Sequence, residues 1–212
     1  MSTSDRVTVV RVRKKRGAYH HGSLRESLVE TALDIIADAG IDGLSLRDVA
    51  RQLGVSHQAP YRHFTDKRAL LEAIAAEGFL ALTAALREAI APDDDPIVRL
   101  INIGFVYVRF AKDHAARYRV MFAEPATPQG TPPAEPTGDT AFHVLVETIR
   151  YGQSRAAFAR ASPHELALTS FAFVHGLAML VIDGKMADVR DGHLRALIEH
   201  HVRGTVSRRA TG

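Results

Sequence analysis

Apolar side chains return every three or four positions from Leu24 onward, the spacing of one face of an α-helix. Leu24, Leu28, Thr31, Ala32, Ile35, Ile36 and Ala39 would line that face. Ser23 stands at the N-cap position and Glu26 follows three residues on, the pattern of a capping box. Gly40 supplies the glycine that ends such a helix. A shorter stripe of Leu46, Val49, Ala50 and Leu53 follows Ser45 as cap and stops at Gly54. Ser56 caps a third helix predicted over 57–63, and Thr65 or Asp66 a long fourth one over about 67–90. Pro92 to Pro96 breaks the pattern. Further helices are predicted near 95–112, 114–122, 139–158, 163–183 and 190–207. The run 124–139 carries five prolines, which remove backbone donors and fix φ, so it reads as a loop. No convincing strand and no internal repeat appears. The expectation is an all-α chain in three parts: a flexible basic arm at 1–22, a three-helix unit at 23–70 and a larger helical domain at 71–212.

Within the second part, a short helix, a glycine turn and another short helix form a helix-turn-helix pattern. Leu53-Gly54-Val55-Ser56 is the turn, with Gly54 suited to the positive φ of a tight exit. The next residues are polar and aromatic, as a nucleic-acid-reading element requires. His57 and Gln58 could reach base edges, and glutamine can pair with adenine through two hydrogen bonds. Ala59 is small enough to approach a thymine methyl. Tyr61, His63 and Lys67 can donate to phosphate oxygens, which position a protein without reading sequence. Phe64 is expected to anchor the segment to the first and fourth helices. Pro60 falls in the first turn, where its missing N–H costs little.

Charge points the same way. Residues 1–70 hold 12 Lys/Arg against 8 Asp/Glu, whereas 71–212 hold 15 against 16. A basic first third suits a polyanion, although a solvated basic tail would give the same balance. The chain has no Cys, which removes disulfides, thiolate metal sites and a Cys nucleophile. No apolar core follows the basic arm, so no secretory signal is expected, and no apolar stretch is expected to span a bilayer.

The stretch 23–71 resembles the DNA-binding domain of the TetR (tetracycline-repressor-like) family. The matching run is SLRDVARQLGVSHQAPYRHFTDKRALL at 45–71, preceded by a helix ending in ADAGIDGL. YHHGSLRESL at 19–28 and FVHGLAMLVIDGK at 173–185 resemble one subgroup with a Trp-His-Gly-like motif in its C-terminal domain, where this chain has Val174 for the tryptophan. Pro60 also replaces the apolar residue common before the tyrosine. The strong resemblance covers about a quarter of the chain. It implies a homodimeric, bacterial-type cytoplasmic regulator that binds a double-stranded, pseudo-palindromic operator and releases it on binding a small-molecule effector. It implies that His57, Gln58 and Ala59 face bases and that Ser45, Ser56, Tyr61, His63 and Lys67 face phosphates. Arg47 matches a position that can reach either. Arg11 to Arg16 could enter an adjacent groove or bind the backbone.

In the larger domain, Tyr107, Phe110, Tyr118, Phe122, Phe171, His175 and Met179 are candidate effector contacts, with ordinary core packing as the alternative for each. The last two predicted helices carry stripes of Leu166, Thr169, Phe173, Leu177, Leu180 and Val181, then Leu194, Leu197, Ile198, Val202 and Val206. These are expected to pair with their mates in a four-helix dimer interface. Neither metal nor cofactor is expected: His20-His21 do not share a helix face, and no carboxylate stands at ligand spacing. An enzyme with an accessory DNA-binding module and a regulator answering to a protein partner are the rival readings. No Ser-His-Asp pattern, glycine-rich phosphate loop or HExxH supports the first.

Overall fold

The structure is a computed structural model of the chain, and it describes residues 23–93, 95–123, 140–186 and 188–206. The basic arm, its His20-His21 pair and the proline-rich run at 124–139 lie outside the described residues. Among the described residues eight α-helices follow one another: α1 (Leu24–Ala39), α2 (Leu46–Leu53), α3 (Lys67–Glu88), α4 (Pro96–Asp113), α5 (Ala115–Met121), α6 (Ala141–Ser154), α7 (Pro163–Ile182) and α8 (Asp191–His201). A 3₁₀ turn at Pro60–Arg62 stands between α2 and α3, and a π-helical turn at Val202–Val206 continues α8.

Local chemistry sets most of the boundaries. Ser23 accepts from the Glu26 amide while Glu26 accepts from the Ser23 amide, so α1 opens on the expected capping box. Ser45, Asp66, Asp95, Thr140 and Ser162 each cap the next helix with a side-chain oxygen. Gly54 takes φ 75°, and the amides of Gly54 and Val55 bond back to the carbonyls of Arg51 and Ala50.

Two apolar cores result. One gathers Leu28, Val29, Ala32 and Ile36 of α1, Leu46 and Val49 of α2, Phe64, and Leu70, Ile74 and Ala75 of α3. The other is built from α4, α6, α7 and α8, with Leu82 and Leu86 from the far half of α3. Helix α5 belongs to both: Val120 lies in the first core, Tyr118 and Met121 in the second. Helices α3 and α5 touch closely at Gly78, where a Cβ would stand 2.6 Å from Sδ and 2.8 Å from Cγ of the fully buried Met121.

Three sequence expectations are corrected. The segment predicted as a helix over 57–63 is a turn at 57–59 followed by one 3₁₀ turn, with Ala59 rather than Ser56 at the cap position. Pro60 is the reason: it has no N–H to donate, so it opens a new helical turn instead of extending one. The stripe of Leu194, Ile198, Val202 and Val206 is buried within the chain, where Ile198 packs close to Gly104 of α4, and so faces no partner. Finally, α3 and α7 are long and apolar enough, by length and composition alone, to cross a membrane. Alanine-rich core helices with few charges pass that test, and both helices pack within this bundle.

Gly78→Ala is expected to cost about 1–3 kcal/mol, because Met121 and Arg117 must yield in a filled interior. Thermal unfolding should show a midpoint lower by several degrees, and an unchanged midpoint would deny the close contact.

Candidate functional site

The segment between α2 and α3 carries side chains that the fold leaves uncovered. His57, Gln58, Arg62 and His63 are exposed, Ala59 is half-buried and Tyr61 is 44% exposed. Pro60 and Phe64 point the other way, and Phe64 is 4% exposed within the first core. This short turn therefore has one anchored side and one free side. Arg47 and Ser56 are exposed nearby, on α2 and in the turn. Two of the expected phosphate contacts are already engaged. The Ser45 hydroxyl bonds to the Asp48 carboxylate, and Lys67 donates to the Asp42 carbonyl at 3.2 Å. The Ser45 hydroxyl, followed by Arg51, holds the Asp48 carboxyl below its usual range. Its negative charge is thereby paired within the protein. Arg51 and Arg62 are exposed cations of the same region that sequence reasoning did not single out.

A second feature lies at the boundary of the two cores. A cleft of about 530 Å³ is walled by Ile36, Ala37, Gly40 and Ile41 around the end of α1, and by Tyr118, Arg119, Phe122, His175 and Met179. Four of the seven sequence candidates line it: Tyr118, Phe122, His175 and Met179. Tyr107 and Phe171 stand behind this wall, the Tyr107 hydroxyl reaching Tyr118 and the Phe171 ring lying 5.3 Å from His175. Phe110 is no part of it, because it is a core residue whose ring lies 4.9 Å from that of His114. The α1 walls and Arg119 were not foreseen, since nothing in the local pattern of α1 announces that it shares a cleft with α7.

Tyr107, Tyr118 and His175 form a triangle. The two hydroxyls are 2.8 Å apart, and His175 Nδ1 lies 2.7 Å from Tyr118 and 3.2 Å from Tyr107. No hydroxyl is stranded when one tyrosine donates to the other and the second donates to a bare Nδ1, a chain that closes in either order. A proton on Nδ1 would leave one hydroxyl hydrogen without an acceptor in the triangle. His175 is therefore neutral with its proton on Nε2. Burial lowers the His175 pKa in agreement, and raises those of Tyr107 and Tyr118.

Helix α5 ties this wall to the first core by charge as well. Arg117 lies 3.6 Å from both Glu30 of α1 and Glu77 of α3, and Glu77 also holds Arg25 at 2.6 Å. On the other side Arg119 holds Asp183 and the Ile182 carbonyl at the end of α7.

Two family models match the chain. That for "Bacterial regulatory proteins, tetR family" matches residues 28–74, and that for "Tetracyclin repressor-like, C-terminal domain" matches 100–205. Tetracycline repressor protein class C of Escherichia coli is 49% identical over 51 residues, which are 24% of this chain and 23% of that protein. The chain thus matches less than a quarter of that relative's length. A protein of unknown function from Rhodococcus sp. RHA1 shares the fold with a TM-score of 0.73 and 33% identity, over 90% of this chain and 99% of that one. The TetR family transcriptional regulator PfmR of Thermus thermophilus superposes with a TM-score of 0.68 at 20% identity, over 84% of this chain and 98% of that one.

Because His175 binds protons less readily folded than unfolded, the unfolded chain takes up its proton first as pH falls. The neutral ring's contribution is present above pH of about 6.5 and is lost below it. His201, also lowered by burial, acts in the same direction. The thermal midpoint should therefore fall between about pH 7 and 5.5, and His175→Asn should make that fall shallower. Identical slopes for the two proteins would remove His175 from the effect.

Proposed function

This chain belongs to the TetR family of bacterial regulatory proteins, which makes it a DNA-binding transcriptional regulator, and we propose that it acts as a homodimeric repressor released by a small molecule. The observation that carries ligand control is the cleft itself. Its walls come from α1, which helps to hold the DNA-reading turn, and from α5 and α7 of the larger core. A ligand there touches both bodies at once and can favour one spacing of the reading turns over another. Only a difference in affinity between the two arrangements is needed. The aromatic walls suit an apolar or aromatic effector.

In this reading the turn at 57–63 enters the major groove. His57, Gln58 and Ala59 face bases, Ser45, Ser56, Tyr61, His63 and Lys67 meet the backbone, and Arg47 reaches a base or a phosphate. Lys67 does so while keeping its internal bond, as an ammonium with two further N–H groups, whereas Ser45 must turn its one hydrogen from Asp48 to the phosphate. Two such turns in a dimer would read half-sites about 34–36 Å apart on a pseudo-palindromic operator. A bacterial-type cytoplasm is the compartment that fits this work.

The surface supporting a dimer is the outer side of α7. Leu168, Thr169, Ala172, Gly176 and Leu180 are uncovered to differing degrees at three- and four-residue steps, Leu180 by 47%. Ala172 and Gly176 would let a partner helix approach closely, and Ala196 of α8 is exposed as well. A second copy covering these faces would bury what one chain leaves open.

Binding to the chain's own upstream DNA should weaken with salt. Gln58→Ala should cost about 1–3 kcal/mol and relax selectivity at one base position, whereas Tyr61→Ala should weaken all sequences alike. Absence of selective binding there and in a random-sequence pool would sink the DNA-contact assignment. Separately, Ala172→Glu should shift sedimentation from dimer to monomer, and a persisting dimer would place the interface elsewhere.

A further inference from the structure

The cleft's polar side chains all offer hydrogens. Tyr118, Arg119 and His175 are the polar members of its wall, and among the described residues no Asp, Glu, Asn or Gln joins them. The Tyr118 hydrogen is used within the triangle, on His175 Nδ1 or on the Tyr107 oxygen. What remains toward a ligand is the His175 Nε2–H, which has no partner among the described residues. Arg119 uses its Nη2 for the Ile182 carbonyl and Asp183, so among those residues Nη1 and Nε stay available. These two groups come from different helices, α5 and α7, and line the same space.

The rest of the wall is apolar and partly flat. The Phe122 ring stands 4.6 Å from His175 and 4.8 Å from Tyr118, and Ile36, Ile41 and Met179 complete the lining. Rings at these distances can stack on a planar body. A cation would meet Arg119 and find no side-chain carboxylate among the described residues of the wall. A carboxylate can accept from two donors in different directions, and hydrogen bonds to a charged acceptor are the stronger kind.

Resting on the effector reading of this cleft, we propose that it binds an aromatic carboxylic acid in its ionised form. The carboxylate accepts from His175 Nε2–H and from Arg119, and the aromatic body lies against Phe122, Met179 and the end of α1. The tyrosines are positioning residues: they fix which nitrogen of His175 carries its proton. Through Ala37, Gly40 and Ile41 the bound body also sets the spacing between α1 and α7.

The test is calorimetric titration of the full-length protein with 1-naphthoate, 1-naphthalenemethanol and (1-naphthylmethyl)trimethylammonium, alike in body and different in head. Wild type stands beside His175→Asn and Arg119→Met. Asparagine can still accept from Tyr118 through its amide oxygen but lacks the Nε2–H, and Arg119→Met keeps an apolar stem. Naphthoate should bind at least about tenfold more tightly than either other probe, and each variant should lose about tenfold of that affinity. Thermal unfolding of the ligand-free variants checks that both are folded. Equal or tighter binding of the alcohol or cation, no naphthoate binding at millimolar concentration, or indifference of both folded variants would overturn the proposal. Naphthoate binding that needs both residues yet leaves operator affinity unchanged would uphold the acid site and refute the effector reading. Operator release by a non-acidic ligand, unaffected by either variant, would do the reverse.

Discussion

The two cores of this molecule are joined by the long α3, which runs through both, and by the packing of α5 against it. The helix has only seven residues, yet its side chains are divided between two cores. Val120 is buried with α1 and α3, whereas Tyr118 and Met121 are buried with α4 and α7. Residues two apart on a helix point in different directions, so one short element can serve both cores. The Gly78 contact brings α3 against Met121 with little spare room. Arg117, reaching Glu30 and Glu77, adds a partly shielded charge bridge to the same junction. A shift of α5 therefore cannot leave α1 in place, since filled interiors resist compression.

The cleft inherits its properties from that junction. Its floor is α5, and its two sides are α1 and α7. The buried hydroxyls of Tyr107 and Tyr118 need acceptors, and the triangle provides them only when Nδ1 is bare. That requirement turns His175 into a donor at its other nitrogen. A polar requirement deep in the core thus decides the chemistry offered at its surface. The turn between α2 and α3 depends on a comparable division: Pro60 and Phe64 anchor it, so that its neighbours can stay exposed.

Much of this was legible along the chain. Short-range chemistry announced the caps at Ser23 and Ser45 and narrowed the next to Thr65 or Asp66, of which Asp66 is the cap, and apolar periodicity located the eight described helices to within a few residues. The polar and aromatic character of 57–63 marked an exposed turn, and four of the seven aromatic-pocket candidates do wall the cleft. The errors share a cause. Periodicity shows that a face is apolar without showing what covers it. Leu194 and Ile198 were expected to face a second copy, but both are buried within the chain, Ile198 beside Gly104 of α4. Of the stripe expected on α7, Thr169 and Leu180 are open, together with Leu168, Ala172 and Gly176, ordinary in sequence.

The sequence by itself determined the helical class, the order of the elements, the turn at Gly54 and the run of polar side chains exposed after it. These rest on hydrogen bonds and side-chain spacing within a few positions of each other. Only the tertiary structure decided that α5 serves two cores, that Gly40 and His175 wall one cleft, and that His175 carries its proton on Nε2. Those outcomes arise from groups brought together from distant parts of the chain, and no local pattern encodes which distant faces will meet.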